Sequence, residues 1–163
     1  MRDSTKTVLV TGADRGLDVA DSSSIASFAE SMRVTEALLP IMPDGGAIVM
    51  VSSGAGELSI LSRNLRKRFS DPSLTQQSLL ELVERFVEAV RCGRHSQEGW
   101  PTSAYGVFKA VLNALVGITA PQLAERAIRI NAVCPGWVRT DMGSPGAPRT
   151  LRQGAASILW QRF

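Results

Sequence analysis

The chain has 163 residues, 44% of them hydrophobic and 20% charged, with 18 Lys plus Arg against 15 Asp plus Glu. That is one domain's worth of chain with enough apolar content for a core, and a net charge of +3 spread among acidic residues argues against a nucleic-acid-binding protein. Cys92 and Cys134 lack metal-ligand or redox spacing and read as buried or incidental thiols of a reducing compartment, and no apolar run suggests a signal peptide or a membrane span.

In chain order, residues 7–10 read as a short strand entering the glycine turn "TGADRG". Between 24 and 42, Ile25, Phe28, Ala29 and Met32 share one helical face, and Val34, Ala37, Leu38 and Ile41 share another. The two stripes are out of phase by about half a turn, so a kink or a pair of short helices is expected near Arg33. Residues 47–51, "AIVMV", form a continuous apolar run, as expected of a strand buried on both faces. The cluster Arg63, Arg66, Lys67 and Arg68 reads as a solvated loop or helix end.

Residues 73–90 predict an amphipathic helix with Leu79, Leu82, Val83, Phe86, Val87 and Val90 on its apolar stripe. Ser73 and Gln76 are expected to form a capping box at its start, and Gly93 a stop. A second helix is expected over 103–126, kinked or broken at Pro121. Residues 128–133 form a third strand that ends at Cys134-Pro135-Gly136, and 143–150 form a turn-rich loop before a short helical end. Buried strands alternating with helices imply α/β architecture around a parallel sheet.

Two features carry chemistry. Tyr105 and Lys109, spaced i, i+4, project from one helix face. An ammonium about 4 Å from a phenolate stabilises it by up to roughly 4 kcal/mol at an effective dielectric near 20, which suits a phenol to general acid–base work. Ser52-Ser53 follow the "AIVMV" strand at its C-terminal end, the edge where open α/β sheets bind ligands, and a hydroxyl there can hydrogen-bond a substrate carbonyl.

Taken in order, Thr11-Gly12-x-x-x-Gly16, "AIVMVSSGAG", "SAYGVFK" and "INAVCPGWVRTDM" resemble the short-chain dehydrogenase/reductase family. The extra helical segment ahead of the tyrosine is similar to the carbonyl-reductase-like branch. The resemblance implies a reduced three-layer Rossmann-like fold, with a small parallel sheet of about three strands flanked by helices. It divides a single truncated domain, 1–163, into a remnant of the nucleotide-binding half (1–46), a helical insertion (57–100), and the catalytic helix, strand and substrate loop (101–163).

By the same resemblance Tyr105 is the catalytic acid, Lys109 its electrostatic partner and ribose holder, and Ser53 the positioner of the substrate carbonyl. The implied cofactor is NADP(H). Gly12, Arg15 and Gly16 would hold its phosphates, with Arg15 matching a basic position that favours the 2′-phosphate. Asp18 and Val19 would touch adenine, and Pro135, Gly136, Val138 and Thr140 the nicotinamide end. No metal is implied. The expected partner is a small-molecule carbonyl compound, with no nucleic acid and no membrane. A monomer is favoured by the insertion, association being open to it through exposed sheet edges, and the location is cytoplasmic.

The spacing departs from the family at two seams, next to Gly16-Leu17 and near 31–33. The stretch from Gly16 to Ser53 leaves room for only about one crossover unit, and the phase slip falls on the second seam. Two readings follow: an NADPH-dependent reductase of ketones, aldehydes or quinones, or a catalytically inactive truncated reductase or incomplete sequence of a full-length enzyme. Marginal stability is expected of so small a sheet.

Overall fold

The computed structural model describes the backbone of Val8–Thr11 and, with side chains, residues 37–160. The glycine-turn residues Gly12, Arg15, Gly16, Asp18 and Val19, both seams, and most of the phase-slipped stretch lie outside the described residues.

Three strands, β1 (Val8–Thr11), β2 (Ala47–Val51) and β3 (Arg129–Val133), form an all-parallel sheet in that order, as the alternation of elements requires. Val8 pairs with Ala47, and Ala47 in turn with Arg129. The central strand β2 is buried along nearly its whole length, which is why it can be apolar at every position. Arg126 pins the approach to β2: its guanidinium donates to Asp44 Oδ1 (2.9 Å) and to the carbonyls of Leu39 (2.7 Å) and Met42.

Helices α1 (Arg63–Phe69), α2 (Gln76–Arg91), α3 (Ala104–Leu123) and α4 (Leu151–Leu159) flank the sheet together with short 3-10 turns. The expected stripe of α2 is observed: Leu79, Leu82, Val83, Phe86 and Val87 are buried and Val90 partly so. Its start differs from expectation. Thr75 is the cap, accepting from the Ser78 N–H at 3.1 Å, because Ser73 is engaged in a turn of its own, donating through N–H and hydroxyl to Asp71 Oδ1. Those two bonds, the hydroxyl's first, hold the Asp71 carboxyl below the usual carboxylate range.

Ser103 caps α3, accepting from Gly106 N–H. Pro121 lies in the last turn of this helix, which runs to Leu123 and tightens into a 3-10 turn at Ala124–Arg126. The proline lacks the N–H that would bond the Gly117 carbonyl, and Gly117 is exposed, so water can take that place and no earlier break results. Residues Ala104–Arg126 are long and apolar enough to cross a membrane by length and composition, where no such run was expected. Here the segment is a core helix, half buried between α2 and the sheet.

The described core has two parts. One packs α1, α2 and Trp100 against α3, and the other packs α3 against β2, β3 and Met42. Both cysteines are exposed free thiols, which agrees with the expectation of incidental thiols and excludes its buried alternative. Cys92 caps the end of α2, and Cys134 is the residue at which the chain leaves β3, so neither sits on an inward face.

Candidate active site

The C-terminal end of β2 runs through Ser52 and Ser53 into a 3-10 turn, Gly54–Gly56, that lies directly on the first turns of α3. Two glycines permit that approach. A Cβ on Gly56 would stand 2.6 Å from the Lys109 backbone, and one on Gly106 would stand 2.8 Å from the Ala55 carbonyl oxygen. The serine-bearing turn and the tyrosine-bearing helix are thereby brought to one cleft.

That cleft encloses about 640 Å³ between residues 51–55, Tyr105, Lys109 and the loop 134–143. Ser53 is half-buried and extended, and its Oγ accepts from the Ala55 N–H at 3.2 Å, which leaves the hydroxyl hydrogen for another partner. Ser52 is 5% exposed, and its hydroxyl donates to Asn113 Oδ1 at 2.6 Å. The two serines are thus distinguished: one is committed within the protein, and the other is available to the cleft.

Lys109 is 8% exposed. Its ammonium donates to the Val51 carbonyl at 2.7 Å and lies 5.5 Å from the centroid of the Tyr105 ring. A buried ammonium needs such partners, and the carbonyl and the ring face supply them. The same bond ties the helix to the end of β2, so Tyr105, Lys109 and Ser53 share one rigid frame.

The opposite wall is the loop after β3. At Gly136 the backbone is left-handed (φ +79°), and a Cβ there would meet Arg149 Cδ at 2.7 Å, so glycine is required on both counts. Arg149 crosses behind the loop, donating to the Gln153 carbonyl and Ser157 Oγ of α4, while its own N–H bonds the Trp137 carbonyl. Thr140 Oγ1 accepts from Gly143 N–H (3.0 Å), and the Trp137 indole donates to the Gly143 carbonyl (2.6 Å). Cys134 Sγ accepts from the N–H groups of Gly54 (3.3 Å) and Gly136 (3.4 Å), joining one wall to the other.

Of the residues singled out in the sequence, Ser53, Tyr105, Lys109, Pro135, Gly136, Val138 and Thr140 all line this cleft. Gly12, Arg15, Gly16, Asp18 and Val19 lie outside the described residues. Cys134, Trp137 and Met142 also line the cleft, and the sequence reading did not assign them. The signal available for them was their place inside "CPGWVRTDM"; the exposure of Trp137 (59%) and Met142 (55%) is a property of the folded loop alone.

Residues 89–162 match the family model described as Enoyl-(Acyl carrier protein) reductase. The chain is similar to carbonyl reductase (NADPH) 1 of Oryctolagus cuniculus, 39% identical over 147 residues, covering 86% of this chain and 53% of the relative. It is 42% identical over 140 residues to carbonyl reductase (NADPH) 3 of Rattus norvegicus, covering 82% and 50%. Among solved structures it superposes on salutaridine reductase from Papaver somniferum with a TM-score of 0.74 at 26% identity, covering 85% of this chain and 51% of that one. For menthone neomenthol reductase from Mentha piperita the TM-score is 0.67 at 31% identity, covering 84% and 44%. The chain spans about half the length of the curated relatives it matches.

Proposed function

Because the chain belongs to the short-chain dehydrogenase/reductase family and is carbonyl-reductase-like, we propose that it reduces a small carbonyl compound, a ketone, aldehyde or quinone, with NADPH. The observation that carries this reading is the convergence of Ser53, Tyr105 and Lys109 with the loop 134–143 on one cleft. The cleft's volume and its polar groups at one end fit the nicotinamide end of NADPH, held by Pro135, Gly136, Val138 and Thr140. Gly12, Arg15, Gly16, Asp18 and Val19 would hold the remainder.

When bound beside Pro135, Gly136, Val138 and Thr140, NADPH would supply hydride for the carbonyl carbon. The chain's own residues manage the oxygen. The Ser53 hydroxyl donates to it and orients the carbonyl, and the Tyr105 phenol hands it a proton as negative charge develops. Lys109, fixed at the Val51 carbonyl beside the phenol ring, offsets the charge left on the phenol oxygen and would hold the nicotinamide ribose. Tyr105, Ser53 and Lys109 are the catalytic residues of this reading.

The same reading makes 1–46 the nucleotide-binding remnant, 57–100 the inserted segment and 101–163 the catalytic helix, strand and substrate loop. The packing of α1 and α2 over α3 supports a monomer, since it covers the helix face through which relatives without an insertion pair. The free thiols of Cys92 and Cys134 are in keeping with a cytoplasmic protein.

The test is NADPH oxidation with 4-nitrobenzaldehyde, accompanied by NADPH titration of thermal stability and of the fluorescence of Trp100, Trp137 and Trp160. NADPH should raise the melting temperature. Tyr105→Phe should lower kcat by roughly 10²- to 10⁴-fold while leaving that rise intact. The competing reading, an inactive truncated reductase, requires that saturating NADPH change neither stability nor fluorescence, and that result would overturn the proposal.

A further inference from the structure

Asn113 stands on α3 about two helical turns beyond Tyr105 and one beyond Lys109, so the three side chains follow one another along the same face. It does not line the cleft. It lines a separate cavity of about 340 Å³ behind it, between α3 and residues 69–74. From there its carboxamide reaches the serine-bearing segment twice. Oδ1 accepts from the Ser52 hydroxyl at 2.6 Å, and Nδ2 donates to the Gly56 carbonyl at 3.2 Å. Those two partners bracket Ser53.

The chemistry of the two bonds is restrictive. A backbone carbonyl can only accept, which fixes the amide with its nitrogen toward Gly56 and its oxygen toward Ser52. The Ser52 hydroxyl hydrogen must then point at Oδ1. Ser52 is 5% exposed, so water cannot readily replace that partner. Aspartate offers acceptors without a donor, and leucine offers neither. The Lys109–Val51 bond holds the end of β2, and the contact of Gly56 with the Lys109 backbone fixes how near the turn lies to the helix. The carboxamide adds a hold at each end of the segment beyond β2.

We infer that Asn113 is a positioning residue: by gripping the segment 52–56 at both ends, it sets where the Ser53 hydroxyl stands relative to the Tyr105 phenol. Its catalytic consequence rests on the reductase reading; its structural consequence does not.

The experiment therefore has two readouts on Asn113→Ala, Asn113→Asp and Ser52→Ala. In the first, amide exchange at Ala55 and Gly56, whose N–H groups bond Ser53 Oγ and Ser53 O, should quicken by about tenfold or more while the interior of α3 keeps its protection. In the second, Asn113→Ala should lower kcat for 4-nitrobenzaldehyde by about tenfold with KM for NADPH unchanged within about twofold. Placed in a Ser53→Ala background, the same substitution should lower kcat by less than about twofold further, because its effect passes through Ser53.

Unchanged exchange at Ala55 and Gly56 in all three variants overturns the inference. So does an Asn113→Asp protein with wild-type exchange, and so does full multiplicativity with Ser53→Ala, which would mark a general structural role. Should Asn113→Ala fail to fold, Ser52→Ala reports on the same bond from its other end. A wild-type chain that reduces no carbonyl compound defeats the reductase reading alone, and the exchange measurement still decides whether Asn113 holds the segment.

Discussion

The two faces of α3 are held by different materials. Toward α1 and α2, the helix meets an aromatic cluster: Phe86 lies 5.2 Å from Trp100 and 6.4 Å from Phe108 between ring centroids, and Phe69 meets Trp100 edge-on at 6.3 Å. Toward the sheet it meets aliphatic side chains, Leu112 and Leu123 packing with Ile48, Met50 and Ile130. Aromatic groups bury more surface each and gain from edge-to-face contact. The helix that carries Tyr105 and Lys109 is therefore anchored from the side that faces away from Ser53 and the sheet. The sheet side, which delivers Ser53, sets the geometry instead.

The largest expected effect comes from the aromatic side. Phe86→Ala, at a residue 1% exposed, should cost about 4 kcal/mol in urea unfolding. Ile48→Ala on the sheet side should cost less, about 3 kcal/mol, and a greater loss there than at Phe86 would break the comparison. Gly56→Ala tests the seam between helix and strand end. Overpacking against the Lys109 backbone should cost about 1–3 kcal/mol, with NADPH-dependent turnover suffering more than that loss of stability explains. Asp44→Ala should be the mildest, under about 1 kcal/mol, because its carboxylate is exposed and Arg126 keeps its two carbonyl partners.

The same contrast divides features that local sequence specifies from those that only the folded chain specifies. The stripe of α2 was legible because helical periodicity is a local signal, and Leu79, Leu82, Val83 and Phe86 obey it. The cap was not, since Ser73 and Thr75 both qualify chemically and Asp71 decides between them only through a three-dimensional turn. The convergence of Ser53 with Tyr105 and Lys109 was legible through motifs that stand in order along the chain. Asn113 was not, because its partners, Ser52 and the Gly56 carbonyl, depend on how one turn sits along one helix. For Cys134, burial and incidental exposure stayed open for the same kind of reason: the end of a strand looks apolar in sequence and is open in space.

The all-parallel order β1-β2-β3 also has a temporal meaning. On the ribosome β2 emerges well before its neighbour β3, and α1, α2 and α3 are synthesised in between. Until Arg129–Val133 appears, β2 carries an open row of hydrogen-bonding groups, the kind of edge that chaperones shield and stray strands capture. Cys134, which ties the loop wall to Gly54, comes just after β3. The cleft is thus a late event among the described elements, completed only once β3 has left the tunnel.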